Sequence, residues 1–137
     1  MAASDCLFCK IVAGEIPATI VAQDERTIAF MDINPATRGH ALVIPRAHAR
    51  DVHEIEPDDL RAVVVTAQEI AGRARARFGA DGVNLLNSNG AAAWQSVFHF
   101  HMHVIPRYAD DPLELPWTPS PGDLDEIAAA GATLAGE

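Results

Sequence analysis

Residues 98–104 read Phe-His-Phe-His-Met-His-Val, with imidazoles at 99, 101 and 103 and apolar side chains between them. Successive side chains of a β-strand point to opposite faces, so this alternation puts one polar and one apolar face on a single extended ribbon. A helix would turn His101 away from His99 and His103. The stretch predicts a strand over residues 96–106, and its apolar face, Phe98, Phe100, Met102 and Val104, needs a covering layer.

That layer is legible upstream. From Pro57, the residues Leu60, Val63, Val64, Ala67, Ile70, Ala71, Ala74 and Phe78 recur at three- and four-residue spacing, which is one apolar helix face. Pro57 suits the first helical position, Asp58 and Asp59 suit the positive end of the helix dipole, and Arg73, Arg75, Arg77 and then Gly79 mark its end. Two β-rich runs, residues 19–22 and 27–31, flank a polar turn and predict a hairpin. Leu42, Val43 and Ile44 predict a third strand that Pro45 ends, and "DGVNLLNSNG" a fourth that runs into a polar loop. Prolines 112, 116, 119 and 121 predict an irregular tail from about residue 111, followed by a short alanine-rich helix over residues 123–134. Five strands, a long helix and a short C-terminal helix make a single α+β domain over residues 1–137.

At 137 residues and 49% hydrophobic composition, such a domain can bury a core without disulfides. The formal charge of −9 argues against binding nucleic acid or an anionic membrane through bulk electrostatics. No apolar run approaches the roughly 20 residues of a membrane span, and "MAASDCLFCK" lacks the basic and apolar regions of a secretory leader. The expected location is cytoplasmic. Cys6 and Cys9 are two residues apart, which reads as a metal half-site or a redox pair, metal being preferred because no βαβ pattern surrounds them.

Neutral imidazole is a nucleophile and a metal ligand near neutral pH, so three in register point to metal or to phosphate chemistry. No acidic residue interrupts the row. The preceding "NSNGAAA" loop with Gln95 and Ser96 offers amide, hydroxyl and backbone donors that could embrace a phosphate. Phosphorus chemistry is favoured.

His99-Phe-His101-Met-His103-Val-Ile resembles the His-φ-His-φ-His-φ-φ signature, φ being apolar, of the histidine triad (HIT) family of nucleotide hydrolases and transferases. "CLFCKIVAGEIPA" resembles the N-terminus of bacterial members, "AFMDINPATRGHALVIPRAH" the ribose-side segment, and "QSVFHFHMHVIPR" the catalytic strand. Only the tail after about Asp111 falls outside the likeness. The resemblance implies a five-stranded antiparallel sheet and a homodimer whose interface involves the long helix. It also implies binding of a purine nucleoside monophosphate (AMP or GMP) and cleavage of a bond to its α-phosphorus without a catalytic metal. Carried over residue by residue, His101 would attack the phosphorus and hold the nucleotidyl group. His103 would sit by the phosphate, with His99 completing the triad. Gln95 and Ser96 would contact phosphate oxygens or the leaving group, Asp32 the ribose hydroxyls, and Asn89 the phosphate loop.

Plainer readings stand beside these. Asp32 could cap a turn, Ser96 could open a strand, and Asn87 or Asn89 could only stabilise a loop. His40 and His53 receive no role beyond a surface or hydrogen-bonded histidine. Cys6 and Cys9, with His48 and His99, match the ligand set of zinc-carrying bacterial members and would form a closed structural site; a redox pair or two buried thiols are the alternatives. One departure stands out. Trp94 occupies a position where many members have glycine, and a residue with a Cβ resists the positive φ that glycine permits. Trp117, in the tail, could reach a partner's site. The expected activity is hydrolysis of purine nucleoside phosphoramidates, with dinucleoside polyphosphate hydrolysis or a non-catalytic nucleotide-binding module as alternatives.

Overall fold

A computed structural model of the chain describes residues 5–136; the first four residues, part of the stretch read for a leader, and the last residue lie outside it. Strands β1 (Ile20–Gln23), β2 (Thr27–Met31), β3 (Ala41–Pro45), β4 (Gly82–Leu86) and β5 (Met102–Arg107) form one antiparallel sheet in the order β1-β2-β3-β5-β4. Helices α1 (Leu7–Val12), α2 (Pro57–Phe78) and α3 (Leu124–Leu134) accompany it, with a 3-10 turn at Ala91–Ala93. This is the expected α+β architecture.

The β1-β2 turn closes because Asp24 Oδ1 accepts the backbone N–H groups of Arg26 (2.9 Å) and Thr27 (2.8 Å). Helix α2 begins on Pro57 and ends at Gly79, whose φ of 66° is the left-handed stop that lets its N–H reach the Ala74 carbonyl. Val63, Ala67, Ile70 and Ala74 are its buried stripe, and the first three pack with Ala29, Ala41, Val43, Phe100 and Val104 into one core cluster. Each large side chain so buried contributes roughly 1.5–3 kcal/mol.

The opposite face of the sheet carries a second cluster. Ile28 and Phe30 of β2 and Leu42 and Ile44 of β3 alternate away from α2 and meet Phe8 and Ile11 of α1. No sequence period announced α1, because six residues are too few to display one. Its local signal is Cys6, whose Sγ accepts the Cys9 N–H at 3.3 Å as an N-cap.

The histidine segment departs from expectation in extent. The ladder of β5 starts at Met102, and residues 96–101 approach it through bends, with Phe100 N–H bonded to the Ala49 carbonyl at 2.7 Å instead of to a strand. Phe100 and Val104 enter the α2 core as expected and Met102 packs against it. Phe98 does not: its ring lies beneath the Arg50 guanidinium, 4.4 Å from centroid to Cζ.

Beyond β5 the tail is pinned at its start, where Arg107 donates to both carboxylate oxygens of Asp111 (2.9 and 2.8 Å). Helix α3 follows Asp123, whose side chain accepts the N–H groups of Asp125 and Glu126, and none of its residues is buried. No helix among the described residues is long and apolar enough to cross a membrane.

Candidate functional site

A cleft of ≈ 360 Å³ opens on the α1 side of the sheet. Leu7, Phe8 and Ile11, with Ile16, Pro17 and Ile33, give it apolar walls, while Asp32, Ser96, His101 and His103 bring the polar groups. Four of the residues singled out from the sequence therefore meet in one cavity.

His101 is fixed from three sides. Its Nδ1 donates to the His99 carbonyl at 2.7 Å, its ring stands edge-on to Phe8 (centroids 5.1 Å apart, 89° between planes), and its own carbonyl accepts Asn87 Nδ2 at 2.9 Å. An Nδ1–H tautomer leaves the lone pair on Nε2. Burial lowers the His101 pKa below the ordinary imidazole value, against the His99 carbonyl bond and the Asp32 charge, which raise it. The ring is thus biased to its neutral form, with a lone pair available on Nε2.

His103 receives its tautomer through a chain of bonds. The Ala36 N–H donates to His40 Nδ1 at 2.9 Å, so the His40 hydrogen sits on Nε2, which lies 2.9 Å from His103 Nδ1 and 3.4 Å from Asp32 Oδ2. With Nδ1 accepting, the His103 hydrogen is on Nε2. Burial first, and the His101 and His40 rings next, push His103 down to about 4. His40, buried and lowered by desolvation, is the residue that sequence reasoning missed. Its one signal was the position before β3, since Leu42 of β3 pairs with His103 across the sheet. Asp32, His40 and His103 are close enough to hold a metal ion. The Ala36 bond argues for a proton relay there instead, because a metal on His40 Nε2 would require the hydrogen on the nitrogen that already accepts one.

His99 does not line the cleft. It is fully buried, its Nε2 donates to the Pro45 carbonyl at 2.9 Å, and its Nδ1 faces Cys6 Sγ (3.3 Å) and Cys9 Sγ (3.5 Å). His48 Nδ1 lies 3.3 Å from Cys9 Sγ. All four ligand atoms fall within 4.8 Å of one another. The donor set suits a metal: two thiols, two imidazoles with Nδ1 turned inward, and a carbonyl fixing the His99 tautomer from behind. Burial, with Cys6 bonded and charged beside it, pushes Cys9 up to about 11, a penalty that a bound cation would relieve.

Gln95 and Asn89, expected at the phosphate, are engaged behind the loop. Gln95 Oε1 accepts Gly90 N–H at 2.7 Å, and its Nε2 donates to the Arg50 (2.7 Å) and Val97 (3.1 Å) carbonyls. Asn89 Oδ1 accepts Val52 N–H at 2.7 Å and its Nδ2 donates to Asn87 at 2.6 Å. Together they stitch the loop to residues 50–52. Trp94 adopts φ 74° and ψ 17°, the left-handed conformation natural to glycine, and among the described residues no other non-glycine has a positive φ. The loop keeps a glycine-like turn and strains a tryptophan to do so.

Residues 13–110 match the HIT domain. The chain belongs to the HIT family. Its relatives include Protein hit of Bacillus subtilis, 47% identical over 77% of this chain and 73% of that protein. An adenosine 5'-monophosphoramidase of Schizosaccharomyces pombe is 35% identical over 94% of this chain and 95% of its own length. An adenylylsulfatase of Arabidopsis thaliana is 39% identical over 80% of this chain and 56% of its own length. Among solved structures, a HIT family protein of Bacillus anthracis superposes with a TM-score of 0.89 at 38% identity, covering 98% of this chain and 97% of that one. A zinc-bound histidine triad protein of Mycobacterium smegmatis does so with a TM-score of 0.79 at 39% identity, covering 98% of each. The HIT fold and the nucleotide-related activity of its family therefore apply here, Cys6, Cys9, His48 and His99 could hold a metal ion, and one structural neighbour is zinc-bound.

Proposed function

We propose that this HIT protein is a purine nucleotide-binding hydrolase that cleaves nucleoside 5'-phosphoramidates through a nucleotidyl intermediate on His101. The observation that carries the reading is the His101 tautomer: Nδ1 is held by the His99 carbonyl, which leaves a lone pair on Nε2 in a cleft shared with Ser96, His103 and Asp32. The apolar walls receive the base, and Asp32 accepts ribose hydroxyls while its Oδ1 also holds the Asn34 N–H at 2.8 Å. His101 Nε2 forms a bond to the α-phosphorus as the bond to the amine breaks; the amine takes its proton from solvent, while the His103 Nε2–H donates a hydrogen bond to the phosphate. Water then displaces the imidazole and releases AMP or GMP. His99 serves through its carbonyl, and Gln95 and Asn89 by bracing the loop that presents Ser96. The Schizosaccharomyces pombe relative, named for this activity, supports the substrate class.

Cys6, Cys9, His48 and His99 hold a structural zinc, which anchors α1 and hence Phe8 beside the catalytic ring; no step of the reaction passes through it. A homodimer forms across β4, one of the two open edges of the sheet, where Val83 and Leu85 are exposed, as is Val64 of α2. A cytoplasmic location suits two reduced thiols. The test is single-turnover incubation with adenosine 5'-phosphoramidate. The wild type should release AMP, and His101→Ala should bind AMP but slow release by at least about a thousandfold. An uncleaved phosphoramidate, or an active His101→Ala variant, would contradict the reading.

A further inference from the structure

A second cavity, ≈ 420 Å³, borders the histidine cleft and shares Leu7, Ser96 and Val97 with it. Arg50 and Phe98 line it together with Cys6 and His48 of the thiol–imidazole cluster. In-line displacement ejects the leaving group on the side of the phosphorus opposite His101 Nε2. Elsewhere the cleft is lined by Asp32 and Asn34, which the reading above gives to the ribose side, and by apolar residues that suit the base, so the departing group has its polar exit past Ser96, into this second cavity.

Arg50 is prepared for a ligand there. Its guanidinium stacks on the Phe98 ring at 4.4 Å, which fixes the plane without using an N–H. Its backbone is held by Gln95 Nε2 on its carbonyl (2.7 Å) and by its own N–H on Glu54 (2.9 Å). Arg26, Arg46 and Arg107 each donate their side-chain hydrogens to protein acceptors. The Arg50 guanidinium donates none among the described residues. Its nearest carboxylate, Asp51, stays 4.0 Å from Nε and turns its Oδ1 to the N–H groups of His53 and Glu54. The one acid on the cavity lining, Asp5, is exposed. A rigid fork with free donors, at the exit from the phosphate position in a chain of net charge −9, matches a tetrahedral oxyanion.

We infer that Arg50 is a specificity-determining residue for the leaving group, favouring a departing oxyanion such as sulfate or a phosphate chain over an amine. The inference rests on the nucleotidyl-transfer reading above and extends it. The balance is simple: the His101 Nε2 lone pair forms the N–P bond, the bridging P–O bond breaks, and its electron pair leaves with the sulfate or phosphate, which needs no proton. Water then forms a P–O bond, the N–P pair returns to Nε2, and a proton is released. Arg50 faces the charge that grows on the departing oxygen side, an interaction an amine leaving group cannot use.

The experiment measures kcat/KM for adenosine 5'-phosphosulfate, diadenosine tetraphosphate and adenosine 5'-phosphoramidate with wild type, Arg50→Gln and Arg50→Lys. Removing one charge-assisted contact predicts a loss of about tenfold to a hundredfold on an oxyanion substrate in Arg50→Gln, with the phosphoramidate within about twofold and Arg50→Lys in between. The sulfate and tetraphosphate arms separate the two sources of the oxyanion, and a selective loss on either supports the proposal. An equal loss on all three substrates, no loss on any, or a wild type that cleaves only the phosphoramidate would overturn it. A wild type that leaves even the phosphoramidate intact would instead overturn the underlying reading.

Discussion

Which nitrogen of His101 carries the lone pair is decided outside its ring, by the His99 carbonyl at 2.7 Å; His103 is set likewise by His40, and His40 by the Ala36 N–H. The chemistry of single residues here depends on backbone groups that a sequence does not display. Alternation made His101 and His103 legible, but His40 had only its place before β3 to mark it, because its role comes from β3 lying beside β5. Trp94 shows the converse, since the sequence located the conflict with positive φ while only the coordinates show which side yields. The backbone kept its turn. Trp94→Gly should therefore raise unfolding free energy by about 1 kcal/mol, the relief of left-handed strain less glycine's extra chain entropy. The indole is 67% exposed and forfeits little packing. Denaturant unfolding checks this; a destabilised Trp94→Gly protein would show that the indole does more than occupy the turn.

Among the elements, α2 was the most readable, with 22 residues of period, a proline start and a glycine stop agreeing. The six residues of α1 are too few to show a period, although they position Phe8 against His101 and, with their cap Cys6, bring both thiols together. The start of β5 was read six residues early, because alternation persists through an extended approach whose hydrogen bonds go elsewhere. The ligand set ties α1 to the histidine segment, so metal loss should be felt in stability. Metal analysis of untagged protein should find one zinc per chain, absent from Cys6→Ser/Cys9→Ser. That variant should melt at lower temperature, having lost a contribution of about 4 kcal/mol at free metal a thousandfold above its Kd. Full zinc retention in the double variant would remove the four-ligand site from this account.

At the scale of the molecule, two layers on opposite faces of one sheet divide the work. Helix α2 supplies a core, and the α1 side leaves a cleft and the thiol–imidazole cluster side by side. The five-stranded α+β architecture followed from strand count and one long helix, whereas the strand order, with β4 outside β5, did not. That order exposes Val83 and Leu85 on an unpaired edge. Light scattering should therefore find a dimer, and Leu85→Glu, which places a charge on that edge, should shift it to monomer with the fold retained by circular dichroism. A monomeric wild type, or a variant that remains dimeric, would place the association elsewhere or nowhere.

The central claim is that His101 Nε2 bonds to phosphorus. Its most direct measurement is mass analysis of protein mixed with excess adenosine 5'-phosphoramidate, quenched in alkaline denaturant within one turnover and digested. The account predicts one nucleotidyl group on the peptide containing His101 and none in His101→Ala. Product formation with an unmodified His101 peptide, or with the group on another residue, would contradict it.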